Sequence, residues 1–299
     1  MSRAIVTGGA GFIGSNLVDS ILPLYDEVIV IDNESSDANE QFYWNNKCTN
    51  HKLDICDYES IRPLFEDVEV VFHLAAEARI QPAVKNPILA AKTNVVGTCT
   101  ILQCAREANV KRVIYSSTSS GYGLKNEVPL NEEMPDDCLN PYSVTKVSGE
   151  KLCKMYTDLF GLETVTFRYF NVYGERQPIK GQYAPVIGIF IRQRDNGESM
   201  TIVGDGKQRR DFTHVSDVVT ANVLASVLEN KEAVGKVLNI GTGINHSILE
   251  IAKLIGDNYT FIESRLGEEQ ETLANTDRAK EMLGWTPSVK LEDWLKENS

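Results

Sequence analysis

Two side chains that could carry out proton transfer, Tyr142 and Lys146, lie four positions apart in the sequence. They follow Asn140 and Pro141, which suit the cap and the first position of a helix, so the pair is predicted one turn apart on a single helix face. A free tyrosine has a pKa of about 10, and a nearby ammonium favours its phenolate form. The pair is therefore a candidate general base near neutral pH. A surface Tyr–Lys pair, which is common on helices, is the alternative.

A glycine-rich turn stands near the start of the chain, where residues 7–14 read TGGAGFIG. The apolar run at 4–6 is typical of a buried strand, and the apolar residues after the turn recur at helical spacing. Glycines at such a turn let backbone N–H groups approach a pyrophosphate at the positive end of the helix. The spacing of Gly8, Gly11 and Gly14 differs by one residue from G-x-G-x-x-G, so an ordinary tight turn is the alternative for the motif alone.

An acidic residue, Asp32, ends the next predicted strand, which covers residues 28–31. Its distance from Gly8 along the chain fits the carboxylate that accepts a hydrogen bond from an adenosine ribose hydroxyl. A carboxylate there would repel a ribose phosphate, and Asn33 and Glu34 add no positive charge, so NAD is expected rather than NADP. A solvated strand end or a helix cap is the alternative for Asp32.

Composition limits the class of protein. The chain has 299 residues, 42% hydrophobic and 24% charged, which is enough for a large core in one α/β unit or two lobes. Its formal net charge of -12 argues against nucleic acid or an anionic membrane as a partner. The six cysteines form no C-x-x-C pair and there are four histidines, so neither a zinc site nor a disulfide framework is expected. We see no apolar stretch long enough for a bilayer and no leader pattern at Met1, so we expect a cytoplasmic protein.

The rest of the chain alternates strand-like and helix-like segments. Further apolar runs of strand type fall at 51–53, 70–74, 112–115, 165–169 and 237–240, and helical patterns fall at 88–108 and 142–160. This alternation predicts parallel βαβ units, and thus an α/β fold with a Rossmann-type doubly wound parallel sheet. The pattern loosens from about residue 174, and we expect these segments to cap the carboxyl ends of the strands, where ligands bind in open α/β sheets. We place the sheet domain at 1–173 with a returning segment near 211–241, and expect a smaller C-terminal substrate-binding α/β lobe at 174–210 and 242–299.

A hydroxyl-rich stretch follows one of the predicted central strands, where residues 116–123 read SSTSSGYG. Hydroxyls at the carboxyl end of such a strand can reach a substrate oxygen, and the helix of Tyr142 comes soon after. An ordinary serine-rich loop is the alternative, above all for Ser116. The order of strand, hydroxyls and Tyr–Lys helix favours an active site over a surface pair.

Motifs in a fixed order then cover nearly the whole chain. They are TGGAGFIGSN, DN at Asp32, LDICD around Asp54, HLAAEA from His73, TNVVGT around Asn94, YSSTSSGYG, NPYSVTK, RYFNVYG and GDGKQRRDF. With them the chain resembles an extended short-chain dehydrogenase/reductase of the NAD-dependent sugar-nucleotide epimerase/dehydratase family. Within that family it looks closest to UDP-N-acetylglucosamine and UDP-glucose 4-epimerases. The motifs are specific for the family and less specific for the substrate.

The resemblance implies a role for individual residues. For NAD it implies Gly8, Gly11, Phe12, Ile13 and Gly14 at the pyrophosphate, Asp32 and Asn33 at the adenosine ribose, Asp54 and Ile55 at the adenine, and Leu74, Ala75, Ala76, Asn94, Ser116, Tyr142, Lys146 and Tyr169 along the remainder. It makes Tyr142 the base, Lys146 its partner and Thr118 the hydroxyl that bridges substrate and tyrosine. For a UDP-sugar it implies Arg79, Ser119, Ser120, Asn171, Ala184, Val186, Arg210, Arg265, Glu268 and Thr272. A solvated charge beside Arg209 is the alternative for Arg210.

Departures from related patterns indicate the reaction. Sugar 4,6-dehydratases of this type follow the bridging hydroxyl with Asp-Glu, and UDP-glucuronate decarboxylases carry a glutamate at the second of these positions. This chain has Ser119 and Ser120 there, which argues against both reactions. The resemblance then implies epimerisation: Tyr142 takes the proton of the sugar C4 hydroxyl, hydride passes to NAD, the 4-keto sugar turns over, and hydride and proton return. NAD should be retained because no net oxidation occurs.

The choice of sugar rests on a few positions. Thr272 stands where the family carries a tyrosine in enzymes limited to non-acetylated hexoses, and Ser119 and Ser120 resemble epimerases that prefer N-acetylhexosamines. We therefore expect UDP-N-acetylglucosamine (UDP-GlcNAc) and UDP-N-acetylgalactosamine (UDP-GalNAc). Arg79 could instead meet a uronate carboxylate, so a UDP-uronate and UDP-glucose stay open. The alternatives of another kind are a net reductase or dehydrogenase and a non-catalytic NAD sensor, and helices at 88–108 and 147–160 resemble the dimer interface of the family.

Overall fold

The computed structural model of the chain describes residues 2–37, 39–179, 184–229, 231–263 and 270–298. The strands are β1 (Arg3–Thr7), β2 (Glu27–Asp32), β3 (Thr49–Lys52), β4 (Val68–His73), β5 (Arg112–Thr118), β6 (Glu163–Tyr169), β7 (Val172–Tyr173), β8 (Met200–Val203), β9 (Arg209–Asp211), β10 (Thr213–His214), β11 (Lys236–Ile240), β12 (Asn245–Ser247) and β13 (Tyr259–Ile262). The α-helices are α1 (Phe12–Ile21), α2 (Tyr58–Ile61), α3 (Ile80–Lys85), α4 (Pro87–Ala91), α5 (Thr98–Glu107), α6 (Pro141–Phe160), α7 (Val186–Asp195), α8 (Val215–Val227), α9 (Ile248–Ile255), α10 (Asp277–Leu283) and α11 (Leu291–Asn298), and a π-helical segment, Lys92–Gly97, joins α4 to α5.

Seven parallel strands form the main sheet, in the order β11-β6-β5-β4-β1-β2-β3. The sequence runs out from β1 to one edge through β2 and β3 and then to the other through β4, β5 and β6, which is the doubly wound Rossmann order. The fold prediction is therefore confirmed. In such sheets ligands bind at the carboxyl ends of the strands where the order reverses, here between β1 and β4.

Helices cover both faces of the sheet because alternate residues of each strand point to opposite sides. In β1, Ala4 and Val6 pack in a core formed with α1, α8 and α10, whereas Ile5 packs in a core formed with α5 and α6. Residues such as Trp285 contribute to the first of these cores although they lie late in the chain. The two cores bury the sheet and hold its strand ends at fixed positions.

A third core lies in the smaller part of the molecule. It joins residues of α7, β8, α9 and α11 with Tyr173 and Phe212. Two short strand pairs, parallel β8–β13 and antiparallel β9–β12, complete this part. Its separate core agrees with a smaller α/β lobe, while the domain boundaries given from the sequence stay a prediction.

The prediction that no apolar stretch is long enough to span a bilayer is wrong for one segment. The helical stretch Pro87–Glu107 meets the length and composition of a membrane span, the one such stretch found in the described part of the chain. Half of the most apolar part of this stretch is buried inside the protein, where the stretch packs against α6 and the sheet. A helix in the core of a globular protein meets the same criteria, so length and composition alone decide nothing here.

Candidate active site

The turn between β1 and α1 has no room for side chains. Gly8 has a φ of +69°, and a Cβ placed there would lie 2.7 Å from the backbone nitrogen of Ala75. A Cβ on Gly14 would lie 2.1 Å from the carbonyl oxygen of Gly8. Gly11 is the N-cap of α1 and supplies no side-chain cap, so the helix presents its first backbone N–H groups to an anion. The turn therefore lets backbone N–H groups come close to an anion, while its predicted role at the pyrophosphate of NAD stays a prediction.

Asp32 ends β2 beside that turn. Its side chain is 8% exposed, and it accepts hydrogen bonds from the backbone N–H of Ala10 at 3.1 Å and of Glu34 at 2.8 Å. Burial raises the pKa of this carboxyl, while the bonds from Glu34 and Ala10 oppose the shift. The contacts fix the carboxylate at the carboxyl end of β2, where an adenosine ribose lies in this fold.

Most of the remaining residues assigned to NAD lie in the segments that follow β1, β2, β3 and β4. Leu74 and Ala75 follow β4 and are held to β1 through the backbone oxygen and the hydroxyl of Thr7, at 3.1 and 3.2 Å. Asn94 is buried, and its amide bonds to the backbone of Glu77 and, at 2.9 Å, to the hydroxyl of Thr145. Asn94 thus secures the loop after β4 against α6. Phe12 and Ile13 begin α1, Asn33 follows β2, Ala76 follows Ala75, and Asp54 and the buried Ile55 follow β3.

The catalytic pair lies in the first turns of α6. Asn140 and Ser143 form a capping box, with Asn140 accepting from the Ser143 N–H at 3.0 Å, and Pro141 occupies the first turn. The helix therefore starts where the sequence predicted, and Tyr142 and Lys146 follow one turn apart. Thr118, the last residue of β5, lies close enough to Tyr142 for its side chain to lower the pKa of the phenol. The structure thus brings the predicted base and the predicted bridging hydroxyl together.

The charges around Tyr142 differ in part from expectation. Burial raises the pKa of Tyr142, and the Thr118 hydrogen bond and the positive charge of Arg79 lower it. The sequence predicted Lys146 in the role of that cation. In the structure the Lys146 ammonium lies 4.3 Å from the centroid of the Tyr115 ring, and burial lowers its pKa to about 7, with Cys153 and Glu150 opposing. In the structure the cation that lowers the pKa of Tyr142 is therefore Arg79, which the sequence assigned to the substrate.

A buried hydrogen-bond network around His73, near Lys146, was not predicted from the sequence. His73 contacts the hydroxyls of Thr7, at 2.7 Å, and of Thr98, at 2.9 Å, and its ring lies beside that of Tyr115. Burial lowers the pKa of His73 to about 3, and the charge of Lys146 adds to the effect. His73 is therefore neutral, and its two contacts link Thr7, at the start of the glycine turn, to Thr98 of α5. Its place in the HLAAEA motif was the available signal.

Ser116 and Tyr169 pair across neighbouring strands. Their hydroxyls are 3.0 Å apart, and Asn222 of α8 donates to the Tyr169 hydroxyl at 2.8 Å. Burial raises the pKa of Tyr169 to about 12, with the bonds from Ser116 and Asn222 opposing. Tyr169 belongs to the first of the two sheet cores, and Ser116 is buried beside it near the carboxyl ends of β5 and β6. Their predicted contacts with NAD stay predictions.

The residues assigned to the substrate come from separate segments. Ser119 and Ser120 form a turn directly after Thr118, and the Ser120 N–H donates to the Thr118 hydroxyl at 3.2 Å. Asn171 donates to the backbone oxygen of Asp211 at 2.9 Å and lies 3.5 Å from the hydroxyl of Thr272. Thr272 is 2% exposed, and its hydroxyl also accepts from the N–H of Asp211 at 3.4 Å. Arg210 lies in β9, Ala184 is buried before α7, Val186 begins α7, and Arg265 and Glu268 lie outside the described residues.

Comparison with known proteins relates this site to a family. A model of the NAD dependent epimerase/dehydratase family matches residues 4–241. A UDP-glucose 4-epimerase of Thermotoga maritima, solved with UDP-glucose, is 36% identical with a TM-score of 0.92, and the match covers 98% of this chain and 96% of that one.

Two further solved structures are similar over nearly the whole chain. A UDP-N-acetylglucosamine 4-epimerase of Methanobrevibacter ruminantium, in complex with UDP-N-acetylmuramic acid, is 33% identical with a TM-score of 0.92, covering 99% of this chain and 96% of that one. A UDP-glucuronic acid 4-epimerase of Bacillus cereus, in complex with UDP-glucuronic acid and NAD, is 31% identical with a TM-score of 0.88, covering 98% and 96%. The three structures differ in the sugar that they carry.

Proposed function

Because the chain belongs to the NAD dependent epimerase/dehydratase family, we propose that it interconverts the two C4 epimers of a UDP-hexose, with UDP-GlcNAc and UDP-GalNAc as its pair. The observation that carries the reaction type is the contact of Tyr142 with Thr118, followed by Ser119 and Ser120. A hydroxyl and a phenol suffice to move a proton at one carbon. Two serines cannot supply the acid and base that loss of water requires.

The roles of the side chains follow from their positions. The glycine turn and Asp32 would hold NAD, which would supply reversible hydride acceptance for the sugar C4. Tyr142 removes the proton of the C4 hydroxyl, directly or through Thr118, and returns it at the end. The positive charge of Arg79 and the Thr118 side chain oppose part of the rise that burial causes in the pKa of Tyr142. The positive nicotinamide of bound NAD would favour the phenolate further.

The 4-keto sugar can rotate in the site only if the protein binds the substrate mainly through its nucleotide part. Arg210 is proposed at the diphosphate and Asn171 near the adjoining phosphate, both at the side of the lobe. A guanidinium suits a diphosphate because it donates in a fixed fork. Contacts concentrated on the diphosphate leave the hexose free to present either face to the base.

The acetylated pair is supported by small side chains, and a uronate is the second candidate. Ser119, Ser120 and Thr272 are small side chains with hydroxyls, which supports a subsite for an acetamido group, and one similar structure is a UDP-GlcNAc 4-epimerase. Arg79 favours the uronate, because its charge acts beside Tyr142 and could also bind a carboxylate. A similar structure holds UDP-glucuronic acid. UDP-glucose is the third candidate, from the similarity to a UDP-glucose 4-epimerase.

A homodimer is proposed from an exposed apolar face. Val144, Met155 and Leu159 recur on one side of α6, and Ile88 of α4 and Val96 of the π-helical segment are exposed on the helices packed against it. Ile88 and Leu159 are 81% and 67% exposed. A second copy of the chain would cover this face. Light scattering should give twice the chain mass for the wild type and the chain mass for Leu159→Glu, and a monomeric wild type would contradict the proposal.

A panel of UDP-sugars tests the activity. The protein is incubated with UDP-GlcNAc, UDP-glucose and UDP-glucuronic acid, with NAD added or omitted, and products are separated while absorbance of reduced nicotinamide is followed. An epimerase converts sugar without accumulating NADH, a net dehydrogenase accumulates it, and a sensor does neither. Conversion of UDP-glucuronic acid alone would move the assignment to the uronates, with Arg79→Ala as the next variant. A cytoplasmic location stays a prediction.

A further inference from the structure

Asp211, at the end of β9, is a buried carboxylate whose partners are uncharged hydrogen-bond donors. It is 0% exposed. One carboxylate oxygen accepts from the N–H and the hydroxyl of Thr242, at 2.8 and 2.6 Å, and the other accepts from the N–H of Gly243 at 2.9 Å and of Ala274 at 3.1 Å. Burial raises the pKa of this carboxyl, and the hydrogen bonds from Thr242, Ala274 and Gly243 oppose the shift. The side chain thus joins two loops that are distant in sequence.

The backbone of Asp211 reaches the residues assigned to the substrate. Its N–H donates to the Thr272 hydroxyl at 3.4 Å, and its carbonyl oxygen accepts from the Asn171 side chain at 2.9 Å. Arg210 is its neighbour in β9, a strand of three residues that pairs with the three residues of β12. Asn171, Arg210 and Thr272 therefore meet at this one residue, although they come from three different segments.

The packing leaves little freedom to replace these bonds. A Cβ on Gly241 would lie 2.4 Å from the Cβ of Ala274 and 3.1 Å from a carboxylate oxygen of Asp211. The loops approach closely because Gly241 has no side chain. A strand pair as short as β9–β12 has few ladder bonds of its own, so its position depends on side-chain anchors. Loss of the carboxylate would leave buried N–H groups of both loops without an acceptor.

We propose that Asp211 is a positioning residue for the UDP-sugar, which holds Arg210, Asn171 and Thr272 in the arrangement that binds the nucleotide sugar. This inference rests on the proposed function. It predicts an effect on binding rather than on the chemical step, because Tyr142 and Thr118 belong to α6 and β5. Retention of NAD should not change either, since the glycine turn is built from β1 and α1.

The test compares Asp211→Asn with a matched control, Asp217→Asn. Asp217 is 2% exposed and accepts from the N–H and hydroxyl of Ser288, at 3.0 and 2.6 Å, and from the N–H of Val289 at 3.1 Å. It is an equally buried aspartate that anchors a loop, but its bonds reach none of the assigned substrate residues. Both variants should therefore lose thermal stability, which gives a common measure of structural damage.

Binding of UDP by calorimetry and steady-state kinetics then separate the two variants. Asp211→Asn should raise the Kd for UDP and the KM for the UDP-sugar by roughly 10-fold or more, with kcat within about 3-fold, as expected for one lost buried anchor. Asp217→Asn should leave both constants within about 2-fold. An equal rise in both variants, or no rise in Asp211→Asn, would overturn the inference.

A milder pair covers the case in which Asp211→Asn does not fold. Thr242→Val removes the hydroxyl that donates to Asp211, and Thr242→Ser keeps it. The valine variant should raise the Kd for UDP by roughly 3-fold and the serine variant should match the wild type. Equal Kd values for the two variants would overturn the inference. A wild-type protein that binds no UDP would instead overturn the proposed function, and the inference with it.

Discussion

The catalytic pair and the substrate-side residues are held in position in different ways. Tyr142 and Lys146 belong to one helix of 20 residues, capped by Asn140 at its start and by Gly161 in a left-handed conformation at its end. Asn171, Arg210 and Thr272 instead belong to three short segments joined through Asp211. A helix fixes its side chains through neighbours in the chain, whereas the second group depends on contacts between distant residues. Substitutions in the first region should therefore change chemistry or cofactor retention, and those in the second should change binding and selectivity.

The largest effect is expected in the first region, at Tyr142. Tyr142→Phe should lower kcat roughly 100-fold or more, because general acid–base groups contribute about that much, and should leave the NAD content unchanged. The matched control is Tyr122→Phe, which removes another buried hydroxyl, one that donates to Asn239 at 2.7 Å. That control should keep kcat within about 3-fold. Near-normal kcat in Tyr142→Phe would show that another residue is the base.

A second prediction for the first region concerns the glycine turn and the amount of NAD that the protein retains. Gly8→Ala should destabilise the protein by roughly 2–4 kcal/mol and lose most of the bound NAD, because left-handed strain is added to a clash with Ala75. Gly161→Ala is the control, since Gly161 has a φ of +75° but no atom within 4 Å of an added Cβ. It should cost about 1–2 kcal/mol and keep its NAD. NAD content is measured after acid release. Equal NAD content in the two variants would contradict the proposal that the glycine turn binds NAD.

A pH-dependent effect is expected below the site, at His73. Its pKa of about 3 in the folded chain lies below the 6.5 of an exposed histidine, so only the unfolded chain binds a proton between these values. Wild-type stability should therefore fall as the pH falls from 6.5 towards 3, by about 2 kcal/mol at pH 5 from this residue. In His73→Gln the loss between pH 7 and pH 5 should be smaller by that amount, measured by denaturant unfolding. An identical loss in both proteins would contradict the assignment.

The smallest expected effect lies on the substrate side, at Thr272. Thr272→Tyr should lower kcat/KM for the acetylated sugars roughly 10-fold more than for UDP-glucose and UDP-galactose, because the larger side chain excludes the acetamido group. Thr272→Val, which keeps the volume, should show no such selectivity. An equal loss of kcat/KM on both sugar pairs would show that residue 272 does not determine selectivity for the acetamido group.

The two regions also differ in what the sequence could predict. All seven strands of the main sheet overlap apolar runs recognised in advance, and α6 begins at its predicted cap, because these signals are local. The strands β9 and β12 read RRD and NHS, which carry no periodic apolar signal, so their pairing could not be predicted. Arg210 was found through a motif, but the role of Asp211 depends on Thr242 and Ala274. The sequence placed Lys146 beside Tyr142, whereas its stacking on Tyr115 needed the coordinates.

The most direct test of the central claim follows UDP-GlcNAc by proton NMR with the protein as purified and no NAD added. We predict that anomeric signals of UDP-GalNAc grow to a constant ratio with those of UDP-GlcNAc, without absorbance from NADH. The same ratio should be reached from UDP-GalNAc, and acid should release NAD rather than NADP from the protein. A sample in which UDP-GlcNAc stays unchanged, while the protein carries its NAD, would contradict the proposed UDP-GlcNAc 4-epimerase.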